Sequence, residues 1–214
     1  IVHNRVKLEQ MAAKSSYWTG RCEQLLYEAN GAFTQTGVIR VETRENVGLS
    51  FGGYNFAFHK WSDSYDNWFF AEDDQVMVKD GYFRCALEQL EDPAVGFVAV
   101  VGVSTNRRHP PHAHGGVVVS TKAILKQVQQ ANRDTNFPDG RLPFYANPGY
   151  DRQNLMGEIP FTNAIHRLGY RLENLRLTDV CVSWGESKKR TPRTTVWDPT
   201  LHSFDHEIYS DPFE

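Results

Sequence analysis

Two periodicities alternate along this chain. Val95 to Val103 is an almost continuous apolar run bounded by turn signals, which predicts a strand buried on both faces. Trp68-Phe69-Phe70, Val117-Val118-Val119 and Tyr170 to Leu177 read as further strands, as do Ile1-Val2 and the β-branched stretch from Gly37 to Val41. Between them apolar residues recur at helical spacing. Leu8, Met11 and Ala12 form one such stripe, and Leu25, Leu26 and Ala29 a second that Gly31 stops. Helices are also predicted over 54–61, 81–89, 121–130 and 161–168. Three segments read as loops: His3-Asn4-Arg5, the glycine-bearing stretch from Arg44 to Gly53, and residues 131–153, rich in Asn, Asp, Pro and Gly. Strands alternating with helices predict an α/β fold with one mostly parallel central sheet flanked by helices. No repeat or linker divides the chain, so one domain is expected over 1–214.

Composition narrows the class. With 40% hydrophobic and 13% aromatic residues over 214 positions, the chain can bury a sizeable core. A net charge of −3 argues against a dedicated nucleic-acid binder. Cys22, Cys85 and Cys181 are too scattered for a disulfide framework, which suggests a reducing compartment and a cytoplasmic protein. No run approaches the roughly 18 apolar residues of a membrane span, and no basic-then-apolar leader opens the chain. A soluble protein is the expectation, and nothing indicates its oligomeric state.

The chemistry concentrates where the apolar strand Trp68-Phe69-Phe70-Ala71 runs into Glu72-Asp73-Asp74. Three adjacent carboxylates repel, and at the end of a buried strand they call for a cation. Magnesium or manganese suits such hard oxygen ligands and keeps positions open for substrate phosphates. The plainer alternative is a strand ending in a solvated acidic turn.

The order of motifs resembles the GT-A glycosyltransferases, most closely the family-2-like members that use nucleotide-diphosphate sugars. Asn4-Arg5-Val6-Lys7-Leu8 is similar to the segment that follows their first strand. Glu45-Asn46-Val47-Gly48 with Gly52, Gly53 and Asn55 resembles the segment that wraps the nucleotide, and Phe70 to Asp74 resembles the strand ending in an Asp-x-Asp metal motif. Met156-Gly157-Glu158, followed by Ala164 to Leu172, is similar to the family's acidic helix and its Arg-x-x-Gly-Tyr-Arg ending. The resemblance spans about residues 1–177.

The resemblance implies a single Rossmann-like GT-A domain, with a nucleotide and metal half over 1–104, a donor-sugar and acceptor half over 105–182 and a tail over 183–214. It implies transfer of a hexose from a UDP-sugar to a hydroxyl acceptor, with UDP chosen on the family alone. Asp74 would ligate manganese or magnesium. Glu72 replaces the usual first Asp and would reach the ribose or the metal, with Asp73 in a supporting place. His3, Asn4, Arg5, Asn46, Gly48, Gly53, His114, Gly115 and Gly116 would line the donor site. The acceptor's proton would go to an acid at the start of the helix near 161, which maps to Glu158. Relatives carry two acids in a row there, whereas Ile159 follows Glu158, so Asp151 stays open as the base. Retention of configuration also stays open, and the contact to the base of the nucleotide is unassigned.

Further groups carry alternatives. His109, His112 and His114 could bind zinc through a His-x-His pair, or this segment could lie against the donor sugar. His202 or His206 in the tail could add a metal ligand. Lys188, Lys189, Arg190 and Arg193 could clamp the diphosphate, and Tyr145, Trp184 and Trp197 could stack on sugars. Two rival functions remain, a sugar-1-phosphate nucleotidyltransferase and a non-catalytic nucleotide-sugar or carbohydrate-binding module. The first lacks the expected glycine-rich loop after the first strand.

Overall fold

The computed structural model describes residues 1–5, 23–34, 37–72, 75–77, 79–106, 109–133, 137–144, 157–177 and 180–183. The elements, in chain order, are β1 (Val2–Arg5), α1 (residues 23–29), β2 (Phe33–Thr34), β3 (Gly37–Val38), β4 (Glu42–Glu45), α2 (Leu49–Trp61) and β5 (Asn67–Phe70). They continue as β6 (Gln75–Met77), α3 (Tyr82–Gln89), β7 (Val95–Ala99), β8 (Val103–Asn106), β9 (His109–Ala113) and a 3-10 turn at His114–Gly116. After these come β10 (Val118–Thr121), α4 (Lys122–Ala131), α5 (Ile159–Arg167), β11 (Arg171–Asn174) and β12 (Cys181–Ser183). The chain is α/β. None of the helices among the described residues is long and apolar enough to cross a membrane.

The central sheet runs β11-β7-β10-β5. β11 is parallel to β7, whereas β10 is antiparallel to both β7 and β5, so three of the four strands share a direction and β10 is reversed between them. The remaining pairs are two-stranded: β1 with β4 in parallel, and β2–β3, β6–β12 and β8–β9 antiparallel. The expectation of a mostly parallel sheet is corrected accordingly: the sheets are small and mixed. The cause is the β8–β9 hairpin and the 3-10 turn, which send the chain back as β10 where a crossover helix would have preserved direction.

Both faces of the central sheet are covered. On one, Phe97, Ala99, Trp68, Phe70 and Val118 pack with α2, α4 and α5 through Phe58, Leu125 and Phe161. On the other, Val98, Val100, Val117 and Val119 meet Ala86 of α3. Every residue of β7 is buried, as its continuous apolar sequence demands. Phe161 is the centre of the larger cluster, with ring centroids 4.9 Å from Phe97, 5.6 Å from Phe51 and 5.7 Å from Phe70. Thr121 caps α4 by accepting from the Ile124 amide at 3.4 Å.

Several boundaries move. His3-Asn4-Arg5 is strand, held by parallel pairing to Thr43-Arg44-Glu45. The strand expected over 37–41 is only the short arm β3 of a hairpin. The apolar run from Val95 ends its strand at Ala99, and Val103 opens the next one. α2 begins five residues before Tyr54, so Gly52 and Gly53 are helical and not part of a loop. At Gly52 the lack of a side chain serves packing. A Cβ on Gly52 would strike the Val47 carbonyl, and Gly53 faces Asn4 and Val2 of β1. The expected helix around Leu8 lies outside the described residues.

Candidate functional site

The first turn of α2 is fixed from below. Gly48 precedes it with φ 77°, a left-handed conformation that favours glycine, and the Phe144 ring fills the place its Cβ would take. Leu49 is also left-handed, with φ 50°. For a residue with a side chain this costs on the order of 1–3 kcal/mol and persists only where the surroundings impose it. Here Asn4 imposes it: its Nδ2 donates to the Leu49 carbonyl at 3.0 Å. Arg44 completes the brace, donating from Nη1 to Asn4 Oδ1 at 2.7 Å and from Nη2 to the Val47 carbonyl at 2.8 Å. Burial depresses the Arg44 pKa, but a guanidinium stays charged.

The acidic segment meets this turn directly. Ser50 Oγ donates to Glu72 Oε1 at 2.6 Å. One residue on, the Phe51 ring packs edge-on against Tyr54 and Phe161 and covers Gly116 and Gly157. Strand register explains why these pieces meet. Val118, at the start of β10, is opposite both Phe70 and Ala99, so the His114–Gly116 turn and the carboxyl ends of β5 and β7 lie at one edge of the sheet. Glu72 follows β5 at that edge. Ligands in open α/β sheets bind at such an edge.

The start of α5 reaches the same place. Gly157 lies so close to the Phe51 ring that a Cβ there would collide with it, and Glu158 follows. Glu158 has a helical backbone and its side chain caps nothing in α5. Its Oε2 instead lies 3.7 Å from His112 Nε2 on β9. The His112 side chain is 3% exposed and that of Glu158 is 20% exposed, so the acid reaches solvent where the imidazole does not. Thr162 ties the two elements together, its Oγ1 accepting from the Ala113 amide at 3.1 Å. On the same helix His166 is mostly buried, with Nδ1 3.2 Å from the Tyr170 carbonyl. Burial lowers its pKa, and the Tyr170 and Pro111 carbonyls oppose that shift.

Of the residues singled out from sequence, Asn4, Gly48, Glu72 and Gly116 converge around Ser50 and Phe51, and Glu158 adjoins Gly157, which packs on Phe51. His114 opens the 3-10 turn, its amide donating to the Gly102 carbonyl at 3.0 Å, and Gly115 lies within that turn. Asn46 is exposed on the approach to Gly48. Gly53 faces β1, one turn along α2 from Leu49. His3 and Arg5 are placed by their backbones on β1. Asp73, Asp74, Asp151, His202 and His206 lie outside the described residues, as do Tyr145, Trp184, Trp197, Lys188, Lys189, Arg190 and Arg193. The zinc expectation for His112 and His114 loses its geometric basis, because β9 ends at Ala113 and the two do not share a strand face. Among the described residues no three His, Cys, Asp or Glu side chains group closely enough to hold a metal ion.

Ser50, Phe51, Thr162 and Arg44 were not legible as site residues. Ser50 has a short side chain in a segment that reads as a glycine-rich loop, and only the early start of α2 aims it at Glu72. Compared with family models, curated proteins and solved structures, the chain matches none.

Proposed function

We propose that this chain is a glycosyltransferase of GT-A type that moves a hexose from a nucleotide-diphosphate sugar, UDP by preference, to a hydroxyl acceptor. The observation that carries the reading is the convergence, at one edge of the sheet, of a carboxylate after β5 with a second carboxylate at the start of α5. Glu72 and Glu158 have different surroundings, one bonded to a hydroxyl and the other facing a buried imidazole. Two carboxylates in unlike environments suit two roles.

Glu72 has the hard oxygen donors that manganese or magnesium prefers, and Asp74, two residues on, would complete the pair of ligands. A bound divalent ion would neutralise charge growing on the departing diphosphate. The chain's own residues do the rest. The Gly48 turn and Ser50 hold the donor side of the pocket, and the His114–Gly116 turn borders the sugar. Glu158 takes the acceptor hydroxyl's proton as its oxygen bonds to the anomeric carbon. The bond from that carbon to the diphosphate oxygen breaks, and its electron pair leaves with the nucleoside diphosphate. This in-line course inverts the anomeric centre. Glu158 is favoured over Asp151 as base by its contact with His112.

A donor-hydrolysis assay tests the reading with UDP- and GDP-hexoses and manganese. Release of nucleoside diphosphate that Glu158→Gln lowers at least 100-fold supports transfer chemistry. Donor binding without turnover in the parent chain would make this a binding module. Release of pyrophosphate from a nucleoside triphosphate and a sugar phosphate would make it a nucleotidyltransferase.

A further inference from the structure

Resting on the reading of Glu158 as the base, we propose that His112 is its positioning residue, a buried imidazole that aims the Glu158 carboxylate at the acceptor and keeps it ionised. Four observations carry this. The imidazole is almost wholly enclosed, so it does not itself face an acceptor, whereas Glu158 is partly exposed. The 3.7 Å separation of Nε2 and Oε2 is longer than a hydrogen bond and short enough for a charge interaction when the imidazole is protonated. Both partners stand on anchored backbone: Thr162 locks α5 to β9 at the neighbouring Ala113, and Gly157 is pressed against Phe51. Glu158 is also not spent on capping: Gly157 and Glu158 already follow a π-helical course into α5, and the Glu158 side chain makes no cap hydrogen bond there.

Among the described residues, charged groups on β11 and α5 have partners of their own. β8 carries only Val, Ser, Thr and Asn. On β11, Arg171 pairs with Asp92 and Glu173, while Glu173 accepts from Gln89. His166 of α5 faces the Tyr170 and Pro111 carbonyls, and His114 belongs to the next turn. An unprotonated Nε2 would repel the carboxylate, so the imidazole carries a proton on Nε2 in the competent state.

Two measurements test the pairing. In the first, nitrogen NMR follows the histidine titrations of the full chain and of Glu158→Gln, with His112→Gln identifying the resonance. Loss of the carboxylate should lower the His112 pKa by about one unit, the scale of an opposite charge at this distance. An unchanged His112 titration in Glu158→Gln overturns the proposal. In the second, the pH profile of kcat/KM for UDP-hexose hydrolysis is compared for the parent, His112→Gln and His112→Ala. Losing the imidazole should move the acidic limb of His112→Ala to higher pH and lower kcat about tenfold with KM little changed, while Gln, which keeps an N–H donor, restores part of the rate. A limb that stays in place, with Glu158→Gln inactive, refutes His112 alone. Full turnover in Glu158→Gln refutes the base assignment itself, and the pairing with it.

Discussion

Ser50 Oγ donates a 2.6 Å hydrogen bond to Glu72 Oε1, joining the first turn of α2 to the carboxylate that follows β5. The two residues are 22 positions apart, and the early start of α2 brings the hydroxyl to the carboxylate. A hydrogen bond to an ionised acceptor contributes roughly 1.5–3 kcal/mol when buried, and less at this half-exposed site. Ser50→Ala should therefore cost about 1 kcal/mol in urea unfolding. Its larger effect should fall on manganese-dependent nucleotide binding, which weakens. Equal affinity with and without the hydroxyl would mean that Glu72 needs no such support.

Gly157→Ala tests the contact between α5 and α2. The new methyl group would collide with the Phe51 ring, an overpacking that should cost about 1–3 kcal/mol. Phe51→Leu should destabilise alone and offset part of that cost in the double variant, since the smaller side chain leaves space. Strict additivity of the two unfolding free energies would show that the residues do not touch.

The Asn4–Arg44 brace predicts an asymmetry between basic side chains. Arg44 reaches Asn4 Oδ1 and the Val47 carbonyl with two nitrogens of one fork. Lysine has a single ammonium and cannot span both. Arg44→Lys should lose about 1 kcal/mol of stability despite keeping its charge, and Asn4→Ala should release Leu49 from its left-handed backbone. A melting temperature unchanged in Arg44→Lys would argue against the brace.

His166 gives the fold a pH dependence of known sign. Burial, the leading cause, lowers its folded-state pKa below the unfolded value near 6.5. Above about pH 6.5 both states are neutral and the full stability is present. As pH falls from there toward the folded pKa, the unfolded chain takes up a proton that the folded one resists, and stability declines. His166→Gln should flatten this slope in urea unfolding between pH 7.5 and 5. An identical slope in the variant would place the dependence elsewhere.

Legibility followed physics. β7 and β10 were plain in sequence because burial on both faces leaves an uninterrupted apolar run, and α4 because its amphipathic stripe follows a Thr cap. Direction was not legible: nothing in Val117-Val118-Val119 encodes that the strand runs backwards, since the reversal comes from the preceding hairpin and turn. Gly52 and Gly53 concealed the start of α2, because glycine is a poor helix former; the close approach of the Val47 carbonyl explains Gly52, and nothing in the structure explains Gly53. Glu72 and Glu158 stood out as acids at the edges of predicted elements. His112 was visible only as one of three clustered histidines. Its tie to Glu158 is 46 residues away in sequence and needed the packing of α5 on β9 to appear.

The most direct test of the central claim is calorimetric titration of the chain with UDP, GDP and CMP, each with and without manganese. The account predicts that one nucleoside diphosphate, UDP first, binds only when the metal is present, and that Asp74→Asn or Glu72→Gln removes this binding while the fold stays intact. Absence of binding by all three nucleotides, or binding indifferent to manganese and to both substitutions, would contradict it.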